Sequence, residues 1–427
     1  MTRGIISSRE RKVAWRLTRL VLIGAFAIGA LAVNDIVRDL PDDDDDPTFV
    51  ATTTKPPVSS TDGSGTDDSR PPETTEPTTT TTWEPARSFT LVATGELLVH
   101  EYVADRAADY GGVGTWDFRP MFRLVRPILA GADVALCHLE TPLSADNSDL
   151  AYYPGFRVPF ELADAIADAG WDGCSVASNH SLDAGTTGVT STLDHLRRAG
   201  VATTGMATTA TDDGPATFEA DGISIAHLSY TDLMNGGSLP TEPEWLVPRV
   251  DAAEILTDAA AARASGAEFV VLSLHWGPEY ETAATSRQVE LVDTLLASPD
   301  VDLLLGHGAH VPQPVIERDG KYAAIGLGNF LSNQPGDERR MCSECPAATQ
   351  DGLIAWFAVG DLPDGSVGVV DAAYVPTWVH RSSTYEVVPL GIDEPQGVDP
   401  AVLDESARRT AAAVEPVLRR LTFDAFG

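Results

Sequence analysis

The sequence predicts an α/β domain built as an αββα sandwich, two packed mixed sheets between outer layers of helices. Three observations predict it. Apolar strand-like runs alternate with helical patterns; hairpin signals with Asp-Gly turns interrupt that alternation; and six of the nine histidines fall in or beside loops that follow strand-like runs. Ligands gather at the carboxyl ends of strands in such sheets, so those loops are expected to converge on one crevice.

The elements follow in chain order. Phe89 to Thr94 reads as the first strand, and Phe118, Met121, Leu124, Val125 and Ile128 give helical spacing over 118–130. A strand at 133–139 leads through a long loop to a helix at 161–169 ending on Gly170. A strand at 173–177 precedes a helix at 187–199 ending on Gly200. Helices near 249–265 and 284–297 then alternate with strands at 268–275 and 301–305. Asp221-Gly222, Asp319-Gly320 and Asp364-Gly365 mark hairpins, and a helix near 399–421 closes the domain.

Two segments precede this domain. Residues 1–37 carry six cations (Arg3, Arg9, Arg11, Lys12, Arg16, Arg19) before an apolar run from Leu20 to Val33. That order is expected of a signal peptide, with Ala30-Leu31-Ala32 as a cleavage site, or of a signal anchor; either places the rest at the extracellular face of the membrane or beyond it. Residues 38–87, acidic at Asp42 to Asp46 and then rich in Thr and Pro, lack core-forming side chains and read as a disordered linker. Residues 88–427 form the folded domain.

The formal net charge is −34, which argues against nucleic-acid binding, because that binding is driven by neutralising phosphates. Cys137 and Cys174 sit in apolar runs and read as small core residues. Cys342-Ser343-Glu344-Cys345 lies in a polar loop, and a local disulfide is favoured there over a metal site.

The chemistry-bearing segments are Gly95-Glu96 with His100, His138-Leu139-Glu140, Asn179-His180, His275 and Gly306-His307-Gly308-Ala309-His310. Imidazoles, carboxylates and an Asn amide at strand ends are the donors a divalent-metal hydrolase needs. Each has a structural alternative. Asn179-His180 also suits a turn, His275 a satisfied core histidine, and His307 with His310 a pair of solvated loop rings. Glu96 and Glu140 end apolar strands, where solvation alone is a poor explanation. His100 and His138 contribute directly or hydrogen-bond behind the ligands. Arg157 either holds a carboxylate or phosphate bidentately or is a solvated loop residue. His195 reads as a surface residue, and His227 and His380 as structural.

The chain resembles the CapA-type poly-γ-glutamate capsule biosynthesis proteins, a branch of the calcineurin-like metallophosphoesterase superfamily. The resemblance rests on Gly95-Glu96-Leu97-Leu98, Leu139-Glu140-Thr141-Pro142-Leu143, Ser178-Asn179-His180-Ser181-Leu182-Asp183-Ala184-Gly185, Leu274-His275-Trp276-Gly277 and Gly306-His307-Gly308-Ala309-His310, with Gly328-Asn329-Phe330-Leu331 and Pro376-Thr377-Trp378 after them. It implies a metallophosphoesterase-like αββα sandwich with Glu140, Asn179, His275, His307 and His310 as ligands and His180 as general acid. Glu96 stands where the family usually has Asp. One or two divalent ions, of Mn, Fe or Zn, are the implied cofactor. An anionic surface polymer or its precursor, and a membrane synthase complex, are the implied partners. The function expected is a metal-dependent hydrolase or transferase, with a polymer-binding accessory, a phosphoesterase or a γ-glutamyl hydrolase as alternatives.

Overall fold

The computed structural model describes residues 83–422 apart from 213, 236–242, 244–245, 338–339, 343, 393–394 and 396. The hydrophobic segment and nearly all of the acidic linker therefore lie outside the described residues, and no described helix is long and apolar enough to cross a membrane.

Among the described residues, seventeen strands appear in chain order: β1 Ser88–Leu97, β2 Val134–Leu139, β3 Gly173–Ser175, β4 Ala202–Thr204, β5 Ala216–Ala220, β6 Ile223–Thr231, β7 Phe269–His275, β8 Leu303–His307, β9 Val315–Arg318, β10 Lys321–Ala324, β11 Asn329–Leu331, β12 Gly336–Asp337, β13 Arg340–Met341, β14 Asp351–Asp361, β15 Val367–Val379, β16 Val387–Pro389 and β17 Arg419–Arg420. The helices are α1 Glu101–Gly111, α2 Arg126–Gly131, α3 Glu161–Ala169, α4 Gly185–Ala199, α5 Ala252–Ala264, α6 Ser286–Leu296 and α7 Pro400–Val414.

The first sheet runs β16-β15-β14-β1-β2-β3-β4, with β11 beside β1 and β17 beside β15. The second runs β5-β6-β7-β8-β10-β9. Both are mixed: β1, β2, β3 and β4 pair in parallel, as do β6, β7 and β8, whereas β14 pairs antiparallel to β1 and β5 antiparallel to β6.

Side-chain alternation makes the layers. In β1, Leu91 and Ala93 face Phe269, Val271 and Leu303 of the second sheet, while Val92 turns toward Leu162, Ile166 and Leu193 of α3 and α4. In β7, Val270, Leu272 and Leu274 pack outward on Ile255 and Ala259 of α5 and Val292 and Leu295 of α6. Each sheet thus buries both faces, which gives the predicted αββα order.

Local signals set many boundaries. Gly170 and Gly200 adopt left-handed caps at the ends of α3 and α4. Asp251 caps α5, and Thr285 with Gln288 forms a capping box on α6. Asp221-Gly222 and Asp319-Gly320 take positive φ at their hairpin turns.

The structure corrects several expectations. The helix expected over 118–130 is a 3-10 turn at Arg119–Phe122 followed by α2, with a proline at the start of each, where a missing amide is tolerated. Helix α1 is an addition to the expected elements; only Val103, Ala104 and Ala107 of it are buried, too small an apolar face to read from spacing. Cys137 and Cys174 are buried but bonded to each other, because parallel β2 and β3 set them side by side with their Cα atoms 4.5 Å apart. Cys342 and Cys345 form the favoured local disulfide. Arg87, at the end of the expected linker, already belongs to the domain: its backbone N–H and guanidinium donate to Asp361 and the guanidinium also to Glu268.

Candidate functional site

Five strand ends from the two sheets meet. Glu96 lies near the end of β1, His138 near the end of β2 with Glu140 just beyond, and Asn179 and His180 follow β3. His275 ends β7 and His307 ends β8, with His310 three residues on. Register aligns them: Glu96 stands opposite His138 and Asn329, and His275 opposite His307. None of these predicted strand-end residues is more than 6% exposed.

Two glycines let the strands approach. A Cβ on Gly95 would lie 1.7 Å from the Gly328 carbonyl oxygen, and one on Gly306 1.8 Å from that of Ile325. Any side chain at either position would drive two backbones apart.

The inner cluster is a stack of imidazoles over two carboxylates. His138 lies parallel to His307 with ring centroids 4.1 Å apart, and its Nε2 is 3.1 Å from His275 Nδ1. Ser175 Oγ lies 2.8 Å from the other His138 nitrogen, which fixes that ring between the sheets. Glu96 Oε1 accepts from the Gly308 amide at 2.7 Å. The Nε2 atoms of His180 and His310 each approach Glu140 Oε1 to 3.9 Å, and His310 Nδ1 is 3.2 Å from Asn329 Oδ1.

His180 belongs to a dyad. Its Nδ1 lies 2.6 Å from Asp183 Oδ2, which also accepts the Phe156 amide, and Asn235 Nδ2 lies 2.8 Å from that Nδ1 and 3.1 Å from Nε2. The assignment that satisfies these groups has Nδ1–H donating to Asp183 and Nε2 accepting from Asn235.

Burial dominates the electrostatics. It pushes Glu140 well above the usual carboxylate range, with the nearby Glu96 adding to the effect, and Glu96 itself up to about 8. It holds His138, His275 and His307 well below the usual imidazole range, and His310 down to about 3. Both oxygens of Glu140, Glu96 Oε2, Asn179 Oδ1 and His307 Nδ1 are buried without any hydrogen-bond partner. Leaving so many lone pairs unmatched costs about 1–3 kcal/mol each in an ordinary core.

A divalent cation matches that donor set in chemistry. It does not yet match in spacing: among the described residues, no three His, Cys, Asp or Glu side chains are drawn together closely enough to hold a metal ion.

Over the cluster opens a pocket of about 890 Å³. Asn179, His180 and His310 reach it from below, and Tyr102, Tyr152, Phe156 and Tyr280 contribute rings. Tyr280 and His310 both take positive φ, 68° and 59°, a strained region for bulky side chains that concentrates at functional sites.

The structure therefore brings Glu96, Glu140, Asn179, His180, His275, His307 and His310 together, with His138 in their midst. His100 stands on the pocket wall, its ring edge-on to Phe156. Arg157 does not line the pocket; its guanidinium pairs with Asp149. His195 stacks on Phe160 away from the cluster, and His227 hydrogen-bonds Ser273 inside the second sheet. Sequence reasoning gave no role to Asp183, Asn235, Tyr280 or Asn329. Asp183 and Asn329 stood inside quoted motifs; Asn235 and Tyr280 carried no signal of their own.

The profile of the family described as bacterial capsule synthesis protein PGA_cap matches residues 90–334. This chain belongs to that family. The match contains the whole strand-end cluster, so the PGA_cap region and the buried site coincide. The PGA biosynthesis protein CapA of Bacillus subtilis is 24% identical over 255 residues, covering 56% of this chain and 62% of that protein. The capsule biosynthesis protein CapA of Bacillus anthracis is 24% identical over 253 residues, covering 57% and 60%. This chain thus spans less than two thirds of the length of either relative. Among solved structures, the calcineurin-like phosphoesterase YfkN of Bacillus subtilis has a TM-score of 0.38 at 11% identity, covering 76% of this chain and 97% of that one. A 5'-nucleotidase precursor of Thermus thermophilus has a TM-score of 0.39 at 13% identity, covering 77% and 59%.

Proposed function

We propose that this protein serves the synthesis of an anionic poly-glutamate surface polymer at the outer face of the membrane, through a divalent-metal site that hydrolyses or transfers a bond of the polymer or its precursor. Family membership supports the biosynthetic role. The observation that carries the metal site is the set of buried, unpartnered acceptors on Glu96, Glu140, Asn179 and His307. Glu140, Asn179, His275, His307 and His310, with Glu96, would hold the ion. When bound, a divalent cation supplies Lewis acidity and an activated water.

The protein's own groups supply the rest. Asp183 fixes the His180 ring, so that Nε2 points toward Glu140 and the pocket, where it holds or delivers the proton of a leaving group. Burial of the cluster strengthens every charge interaction within it.

Elemental analysis of protein purified without chelator tests this reading. The expected result is near-stoichiometric Mn, Fe or Zn, together with metal-dependent turnover of a phosphodiester or γ-glutamyl substrate. Protein that stays metal-free when offered these ions overturns it. A non-catalytic accessory that binds nascent polymer is the second reading, favoured by the wide spacing of the side chains; bound metal without turnover would select it.

A further inference from the structure

Two histidines of the cluster reach Glu140 with the same nitrogen but rest on different supports. The Nε2 atoms of His180 and His310 each lie 3.9 Å from Glu140 Oε1. Behind His180 stands the Asp183 carboxylate, 2.6 Å from Nδ1. Behind His310 stands an amide, with Asn329 Oδ1 3.2 Å from Nδ1. A carboxylate can share the charge of a protonated ring, whereas a neutral amide oxygen only fixes which nitrogen holds the hydrogen.

The other contacts of Asn329 settle how its amide is turned. The side chain is fully buried. One amide atom faces the Thr349 carbonyl oxygen at 2.9 Å; a carbonyl oxygen accepts and never donates, so that atom is the nitrogen. Its second hydrogen goes to Gln334 Oε1 at 3.0 Å, and Gln334 Nε2 in turn donates to the Tyr280 hydroxyl at 3.3 Å. Oδ1 is left for His310, and it can only accept. A hydrogen therefore sits on His310 Nδ1, and the neutral ring carries its lone pair on Nε2, on the side of Glu140. Donors run one way from His310 through Asn329 and Gln334 to Tyr280, an order in which each bond polarises the next.

We propose that Asn329 is a positioning residue that holds His310 in the Nδ1–H tautomer, so that His310 Nε2 serves the site as an acceptor while the carboxylate-backed His180 carries the proton. This inference rests on the proposed reading of the strand-end cluster as the reactive site, and it adds the residue that separates two like rings into two roles. The support is part of the sheet itself. Asn329 begins β11, which runs parallel to β1, and its backbone stands opposite Glu96. A side chain anchored on a strand and bonded at both amide atoms keeps its geometry better than one on a free loop.

Nitrogen NMR of the full-length chain, isotopically labelled in its histidines and free of added metal, tests the proposal. The His310 signals are assigned by their loss in His310→Gln. In the unaltered protein the Nδ1–H tautomer of His310 is expected to be favoured at least about tenfold over the other. An Nε2–H tautomer, or an even mixture, overturns the proposal. Asn329→Ala should bring both tautomers into view, and Gln334→Ala should leave the single one, because the Thr349 carbonyl still orients Asn329. A tautomer unchanged in Asn329→Ala overturns the positioning role. If that variant does not fold, Asn329→Ser, whose oxygen is one bond shorter, gives the same comparison. Zinc added to the unaltered protein should move the His310 Nε2 signal and leave Nδ1–H in place; loss of Nδ1–H overturns the acceptor role of Nε2. The expected tautomer in protein that takes up no zinc bears out the part played by Asn329 and defeats the metal reading of the site. Zinc uptake with the opposite tautomer defeats this inference alone.

Discussion

At the scale of single residues, Glu140 is the most demanding side chain in the protein. Both of its oxygens are buried and unpartnered, and only a proton or a cation offsets that. On the proposed reading, in which Asp183 and Asn235 hold that ring to carry a proton, His180→Ala should lower turnover by about 10²–10⁴-fold and leave metal content intact. His307→Ala should lower both, because its Nδ1 is buried and has no hydrogen-bond partner in the protein. Metal analysis and rate measurements on the two variants decide; an empty site in His180→Ala would make that residue a ligand. His227 gives a pH test away from the pocket. Burial lowers it from 6.5 to about 3, so between those values the unfolded chain binds a proton that the fold refuses. The stability tied to His227 is complete above about pH 6.5 and drains as pH falls. Urea denaturation of His227→Leu across that window should show a loss shallower by up to about 1.4 kcal/mol per pH unit.

At the scale of elements, the site exists because strand ends come close enough to share it. Gly306 shows the tolerance: a methyl there would sit 1.8 Å from the Ile325 carbonyl oxygen, and the indole N–H of Trp276 donates to that same oxygen at 3.0 Å. Gly306→Ala should therefore cost at least about 1–3 kcal/mol and loosen the site, read as a lower melting temperature together with weaker metal retention. An unchanged melting temperature would show that β8 and the segment after β10 can separate freely. The elements most legible in the sequence were those with a full period and a chemical stop, such as α3 and α4 ending on Gly170 and Gly200. Those least legible had weak stripes or proline starts, as in α1 and the stretch around α2. The pairing of Cys137 with Cys174 was not readable either, because it depends on which strands become neighbours.

At the scale of the whole molecule, the folded unit reaches back to Arg87, whose guanidinium ties the start of β1 to Asp361 and Glu268. Deleting residues 41–82 should leave the melting temperature within about a degree, because that stretch lacks residues able to bury a core. Scanning calorimetry of the shortened chain checks this, and a large drop would mean that the acidic segment packs on the domain. The net charge of −34 makes the surface a poor docking site for a polyanion.

The sequence by itself determined the layer order and the chemical inventory of the site. Strand and helix periods, Asp-Gly turns and glycine stops are local properties, and the predicted ligands are residue types at strand ends, readable without knowing which strands pair. Tertiary structure alone decided the assembly. The register that sets Glu96 opposite His138 and Asn329, the stacking of His138 on His307 and the turning of Arg157 to Asp149 join residues far apart in the chain or on separate loops. Their partners follow from how two sheets pack, and that packing is fixed by buried area summed over the domain, which no short stretch of sequence displays.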